Sequence, residues 1–190
     1  MASQRALSRH ALIVIDIQND FLPGGALAIN EGDLILPTVN ALLQQDFTAV
    51  IASRDWHPEH HISFTAQGGP WPVHCVAGTS GAAFAPGLDQ RSLTHIIHKG
   101  TRESCDSYSA FFDNEQQAST GLDALLRGFY IEKVTLCGLA LDVCVAATAR
   151  DARSQGFETS IALNACKGIA ADETPCLQEL SELGIKLITS

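Results

Sequence analysis

Short apolar runs alternate with amphipathic segments along this chain. The first run, residues 11–17, is almost continuously apolar, which is typical of a strand buried on both faces of a sheet. Residues 33–45 space their apolar side chains as a helix does, with Pro37 near the start. Five further runs predict strands, at residues 47–53, 93–98, 133–137, 158–163 and 185–188. Three further segments predict helices, at residues 121–128, 142–155 and 174–183.

This alternation predicts an α/β fold. Strands that alternate with helices form parallel sheets through right-handed crossovers, so we expect a three-layer sandwich with a six-stranded parallel sheet flanked by helices. The length predicts a single domain over residues 1–190. Residues 54–87 break the alternation and are rich in proline and glycine. Because a loop this long in a compact domain usually carries function, we expect an insertion there that contributes to a site.

Composition excludes several classes of function. Twelve Lys and Arg against twenty-one Asp and Glu give a formal net charge of −9, which disfavours nucleic acid as a partner. No apolar run has the length of a membrane span, and the apolar run after residues 1–5 is too short for an export signal. The chain has no C-x-x-C motif, which argues against a zinc knuckle or a thioredoxin motif. Because the chain is large and shows no secretory start, we expect reduced thiols and a cytoplasmic location. The six cysteines are Cys75, Cys105, Cys137, Cys144, Cys166 and Cys176.

Residues capable of chemistry follow several of the predicted strands. Ligands of open α/β sheets bind outside the carboxyl ends of the strands. Asp16 ends the first strand, Asp55 and His57 follow the second, and Lys99 follows the third. Cys144 comes after the fourth strand, near the start of a helix. The topology therefore brings an acid, an amine, a thiol and two metal-binding groups to one edge of the sheet.

The acid, the amine and the thiol suggest nucleophilic catalysis. A helix start favours a thiolate at Cys144 and offers N–H groups to an oxyanion, although the residue could also be a small core side chain. Asp16 could accept the thiol proton, or it could cap or anchor a loop. Lys99 could stabilise the carboxylate and developing charge, or it could be a solvated lysine at the end of a strand.

Histidines cluster in the predicted insertion. With Asp55, His57 and His74 offer two nitrogens and one oxygen, a donor set that suits zinc, iron or manganese. The alternative is a polar loop whose histidines are hydrogen-bonded. His60 and His61 lie nearby, and one of them could complete the metal ligands.

Three aromatic residues lie in loops near the same strand ends. Phe21, Trp71 and Tyr108 could enclose a flat ring, although each could equally be a packing residue. No Walker or dinucleotide-binding motif is present, so nucleotide binding has no support.

Five segments together carry a resemblance to a known family. They are VIDIQNDFLPGGAL from Val14, SRDWHPEHHISF from Ser53, WPVHCVAGTSGA from Trp71, HKG from His98 and LCGLALDVCVAATARDA from Leu136. Over residues 12–169 the chain resembles the isochorismatase-like cysteine hydrolases. The D-W-H and W-P-x-H-C strings are the more specific ones, and they resemble the branch of that family that hydrolyses nicotinamide and pyrazinamide.

The resemblance implies a catalytic triad of Asp16, Lys99 and Cys144. It implies a non-proline cis peptide between Leu139 and Ala140, and an oxyanion hole built from the backbone N–H groups of Ala140 and Cys144. The six-stranded sheet of the family agrees with the fold predicted from the alternation of elements.

The resemblance also implies one divalent ion, zinc before iron or manganese, held by Asp55, His57 and His74. In some relatives a further histidine also binds the ion, and His61 matches its place. The expected substrate pocket consists of Phe21, Trp71, Tyr108, Leu139 and Ala140.

The implied reaction is hydrolysis of nicotinamide to nicotinate and ammonia through a thioester, within NAD salvage, with pyrazinamide as a second substrate. The alternatives are a carbamoyl or ureido amidohydrolase, a hydrolase that uses metal-activated water, and a non-catalytic metabolite-binding member of the fold. A homo-oligomer is compatible with the sequence.

Overall fold

Parallel strands form the centre of the molecule. A computed structural model describes residues 9–189. The segment 1–5, which we do not expect to begin an export signal, lies outside the described residues. Within the described part, six strands are present: β1 (His10–Ile15), β2 (Ala49–Asp55), β3 (His95–Lys99), β4 (Lys133–Leu139), β5 (Glu158–Lys167) and β6 (Lys186–Ile188). They pair in parallel in the order β3-β2-β1-β4-β5-β6. The predicted six-stranded parallel sheet is confirmed.

Helices flank this sheet at the predicted places. They are α1 (Leu36–Leu43), α2 (Leu122–Gly128), α3 (Ala146–Ser154) and α4 (Thr174–Glu182). Pro37 lies in the first turn of α1, where the missing N–H costs no hydrogen bond. The central strand β1 is fully buried from Ala11 to Ile15, because both faces of the sheet are covered. Its continuous apolar pattern follows from that burial.

Several elements differ from the prediction at their ends, and these differences position the site. Strand β2 continues to Asp55, which pairs in register with Lys99 at the end of β3. Strand β1 ends at Ile15, and Asp16 takes a left-handed φ of 50° that turns the chain away from the sheet. The predicted helix at 142–155 is a π-helical turn, Leu141–Val145, followed by α3.

The long connection between β2 and β3 contains only short 3-10 turns in the described structure, at Thr65–Gln67 and Gln90–Ser92. Isolated bridges hold it in place, including one between His57 and Val76. Its description as an insertion into a single domain stays a prediction. No helix in the described residues 9–189 is long and apolar enough to cross a membrane.

Candidate active site

Asp16 occupies a fully buried position at the carboxyl end of β1. Its Oδ1 accepts a hydrogen bond of 2.7 Å from Ser53 Oγ, and its Oδ2 lies 2.8 Å from Lys99 Nζ. Burial raises the pKa of Asp16 to about 6, although the charge of Lys99 acts in the opposite direction. Near neutral pH the carboxylate is therefore ionised and still basic enough to accept a proton.

Lys99 is the centre of a buried network of charges. The side chain is fully buried, and Nζ donates to Asp55 and to the carbonyl oxygen of Ser107, the latter at 2.9 Å. Nζ also lies 3.5 Å from Cys144 Sγ. Burial alone would lower the pKa of Lys99, but the charges of Asp16 and Asp55 outweigh it and raise the pKa. Lys99 is therefore an ammonium ion, and the alternative of a solvated lysine is wrong.

Cys144 lies in the π-helical turn that follows β4. The peptide bond between Leu139 and Ala140 is cis, as the family resemblance implies. Burial raises the pKa of the Cys144 thiol well above its ordinary value, and the carboxylate of Asp16 adds to this effect while Lys99 opposes it. The expectation that the helix start favours a thiolate is wrong for the resting site, because loss of water and the nearby carboxylate outweigh it. The thiol rests neutral and needs a base.

Asp55, His57 and His74 converge beside the triad. All three are buried, and each offers one ligand atom within 4.8 Å of the others. Asp55 Oδ2 lies 3.4 Å from His57 Nε2 and 3.8 Å from His74 Nε2. The burial of Asp55 would raise its pKa, but the charge of Lys99 lowers it well below the usual range. Asp55 is thus an ionised ligand candidate.

The second nitrogen of each imidazole supports a metal at this point. His57 Nδ1 lies 2.8 Å from the carbonyl oxygen of Gly100, and His74 Nδ1 lies 2.7 Å from that of Pro72. These contacts assign the proton to Nδ1 and leave Nε2 as an acceptor, as in metal-binding histidines. His57 Nε2 is buried and has no hydrogen-bond partner among the described residues. Such an orphaned acceptor fits a divalent cation.

His61 is also buried at this centre, whereas His60 is exposed. The ring of His61 stacks on His57 with centroids 4.0 Å apart, and its Nδ1 lies 2.7 Å from Ser63 Oγ. It belongs to a second group of potential ligands, with His57 and Asp106. A direct role of His61 in metal binding stays a prediction.

A pocket opens from Cys144 towards the solvent. The predicted residues Phe21, Trp71, Tyr108 and Ala140 line it, and Trp71 Nε1 donates to Tyr108 Oη over 3.2 Å. Leu139 does not line it, because its side chain is fully buried. Further lining residues that sequence reasoning missed are Leu27, Ile29, Asp106, Val143 and Ile169.

Sequence reasoning also missed the side chains that hold the site in place. Gln18 clamps the backbone of Asp55: its Nε2 donates to the carbonyl oxygen and its Oε1 accepts from the N–H, both at 2.8 Å. The Ser53 hydroxyl donates to Asp16, and the backbone carbonyl of Ser107 accepts from Lys99 Nζ. Ser53 could have been noticed from the sequence, because it is a polar residue within the otherwise apolar start of strand β2.

Comparisons with known proteins agree with this geometry. The isochorismatase domain model matches residues 10–189. The nicotinamidase of Escherichia coli is 39% identical over 200 aligned residues, which cover 94% of each chain. The structure of PnC1 from L. infantum in complex with nicotinate superposes with a TM-score of 0.93 at 39% identity, covering 95% of this chain and 92% of that one. The pyrazinamidase of Pyrococcus horikoshii in complex with zinc gives a TM-score of 0.86 at 43% identity, covering 96% and 99%.

Proposed function

The chain belongs to the isochorismatase domain family, and from that premise we propose that it is an amidohydrolase that converts nicotinamide to nicotinate and ammonia. We extend the proposal to pyrazinamide as a second substrate and to a place in NAD salvage. The relatives named nicotinamidase and pyrazinamidase support this substrate class.

One observation carries the proposal. Lys99 Nζ lies 2.8 Å from Asp16 Oδ2 and 3.5 Å from Cys144 Sγ, and it also contacts Asp55 of the candidate metal centre. A base, a thiol and a cation are thus joined in one buried network at the floor of an aromatic pocket. A non-catalytic binding protein would have no need of a buried lysine between two carboxylates, because apolar side chains of similar volume often stabilise a fold as well as buried charges do.

Acylation begins with the neutral thiol. The ionised carboxylate of Asp16 accepts the proton of Cys144 as Sγ attacks the carboxamide carbon. The backbone N–H groups of Ala140 and Cys144 stabilise the oxyanion. The C–N bond then breaks, and Asp16 returns the proton to the leaving nitrogen, which departs as ammonia. The pyridine carbonyl remains on Sγ as a thioester.

Deacylation uses the same carboxylate. Asp16 accepts a proton from a water molecule as its oxygen attacks the thioester carbon. The C–S bond breaks, Sγ leaves as a thiolate and recovers the proton from Asp16, and the released acid gives its remaining proton to solvent to form nicotinate. Lys99 keeps Asp16 ionised between these steps, because an adjacent ammonium opposes the rise in pKa that burial causes. Asp16 and Lys99 therefore titrate as a coupled pair.

Asp55, His57 and His74 would hold the divalent ion, and we propose zinc. Two imidazoles and a carboxylate suit this ion, and the zinc complex of the Pyrococcus horikoshii relative supports it over iron or manganese. When bound, the ion supplies a coordination position for the ring nitrogen and thereby orients the substrate. Phe21, Trp71 and Tyr108 exclude water and enclose the ring.

The thiols support a reducing location. All six cysteines lie in the described part of the chain and are free. Because the proposed nucleophile must be reduced, we propose that the protein works in the cytoplasm.

Ammonia release from nicotinamide tests the proposal. Cys144→Ala should lose at least about a thousandfold in turnover, because no other group can form the thioester. The matched control is Cys176→Ala, which removes a half-buried thiol outside the pocket and should leave turnover unchanged. Retained turnover in Cys144→Ala would assign the reaction to activated water instead. Faster turnover of a ureido compound than of nicotinamide would assign the other substrate class.

A further inference from the structure

The carboxylate of Asp20 joins two loops that border the pocket. Asp20 directly precedes Phe21 in a short 3-10 turn. Its Oδ2 accepts a hydrogen bond of 2.7 Å from the backbone N–H of Cys75, and its Oδ1 accepts one of 3.3 Å from the N–H of Ala26. One side chain therefore ties the segment that carries Phe21 to the segment that carries His74.

Cys75 connects the Asp20 carboxylate to the metal centre. It has a left-handed φ of 46°, a conformation that L-residues seldom adopt without support from their surroundings. Asp20 binds its N–H, and its carbonyl oxygen accepts a hydrogen bond of 3.0 Å from the N–H of His57. The two backbone groups of Cys75 thus connect Asp20 to the backbone of His57, while His74 is the preceding residue.

Gly81 lies directly against the Asp20 carboxylate. The N–H of Asp20 donates to the carbonyl oxygen of Gly81 over 3.1 Å. A Cβ atom at Gly81 would overlap the Asp20 carboxylate, so the side chain fills the space beside the glycine. The carboxylate is held from two sides and cannot turn away from Cys75 without loss of packing.

We propose that Asp20 is a positioning residue that sets both imidazoles of the metal centre through the backbone of Cys75, and sets Phe21 through its own turn. This inference rests on the proposed function for the identity of ion and substrate. Asp20 touches none of Asp16, Lys99 and Cys144 in the described contacts, so its removal should weaken zinc and substrate binding more than the chemical step.

Zinc affinity measured by competition with a chromophoric chelator tests this role. Asp20→Ala should weaken zinc binding by about 10- to 100-fold, the usual effect of losing a residue that orients a ligand. Asp20→Asn keeps one carbonyl oxygen for Cys75 and should fall between Asp20→Ala and the unaltered protein. Asp89→Ala is the matched control, because that carboxylate also accepts a loop N–H but lies away from the site. It should leave zinc affinity unchanged.

Gly81→Ala provides an independent perturbation. It changes no side chain around the ion or the ring, and the three atoms nearest to the added Cβ all belong to the Asp20 carboxylate. It should therefore weaken zinc binding in the same direction. At saturating zinc, Asp20→Ala and Gly81→Ala should raise the KM for nicotinamide, because Phe21 is held less firmly against the ring. The kcat should stay within about threefold of that of the unaltered protein.

Two results would overturn the inference. One is zinc affinity in Asp20→Ala and Gly81→Ala within about twofold of the unaltered protein. The other is a loss of thermal stability in the Asp20 variants without a loss of zinc affinity, which would make Asp20 a structural residue only. Failure of the proposed function is distinguishable, since the unaltered protein would then bind zinc and show the Asp20 effect without hydrolysing nicotinamide.

Discussion

Replacement of Lys99 by methionine removes the only cation that the described structure places between Asp16 and Asp55. The substitution keeps an unbranched side chain of similar volume, so the main change is electrostatic. Lys99 Nζ lies 2.8 Å from Asp16 Oδ2 and donates to Asp55 and to the Ser107 carbonyl. In the zinc-loaded protein Asp55 still faces the zinc ion, whereas Asp16 loses the Lys99 ammonium, the one cation that contacts it among the described residues.

The structure sets the size of the effect. Removing one partner of a fully buried ion pair costs about 3–5 kcal/mol, because the remaining charge is left without compensation. Asp16 can relieve this cost only by taking up a proton. Burial already raises the pKa of Asp16 to about 6 against the pull of Lys99, so without Lys99 the pKa must be higher still.

The sign of the pH dependence follows from this shift. A carboxyl whose pKa is raised in the folded state lowers the free energy of unfolding of the protein as pH rises above the pKa of that carboxyl in the unfolded chain. The reason is that the unfolded chain releases the proton first. In the unaltered protein this loss ends near pH 6, where folded Asp16 ionises. In Lys99→Met this loss of stability continues above pH 6. The difference in unfolding free energy between the unaltered protein and Lys99→Met should therefore grow by up to about 1.4 kcal/mol per pH unit above pH 6.

Urea unfolding of zinc-loaded protein between pH 5 and 8 measures this difference. Lys186→Met is the matched control: that lysine pairs with Glu158 at the surface, with its side chain 63% exposed, and should cost less than about 1 kcal/mol at every pH. Turnover of Lys99→Met should fall by at least about 100-fold, because a protonated Asp16 cannot act as a base. A loss of stability below about 1 kcal/mol that does not change with pH would refute the reasoning.

Three further predictions concern catalysis and binding. Because Asp16 must be ionised to accept the thiol proton and its pKa is raised to about 6, kcat/KM should fall about tenfold per pH unit below that value; a profile that stays flat into the acid range would contradict this assignment. Trp71→Ala should raise the KM for nicotinamide by about tenfold or more, while Tyr108→Phe, which loses only the 3.2 Å hydrogen bond from Trp71, should have a smaller effect in the same steady-state assay. Removal of the metal by a chelator should weaken nicotinate binding measured by calorimetry, and unchanged affinity would exclude a role of the ion in orienting the ring.

The sheet and the position of the site were predictable because both depend on patterns that are local in the sequence. Apolar runs separated by helices imply parallel strands, and the carboxyl ends of parallel strands meet at one edge. Asp16, Lys99 and Cys144 lie at or just beyond the carboxyl ends of three such strands, so their convergence could be inferred before the structure was known. The same reasoning placed Asp55 and His57 at that edge.

The interactions that determine the chemistry were not predictable in this way. The neutral state of the Cys144 thiol depends on complete burial and on Asp16, more than 100 positions away in the chain. The contact between Lys99 and Asp55 depends on the register of two strands that end one or two residues beyond the ends that the apolar pattern predicts. The fully buried side chain of Leu139 depends on how β4 leaves the sheet, which no spacing rule describes.

The central claim is that Cys144 carries the acyl group during hydrolysis of nicotinamide. Intact-mass measurement of protein quenched in acid during turnover tests this most directly. The account predicts a nicotinoyl adduct that maps to Cys144 and is absent from Cys144→Ala. Full turnover of nicotinamide by the Cys144→Ala protein, with no adduct on the unaltered protein, would contradict it.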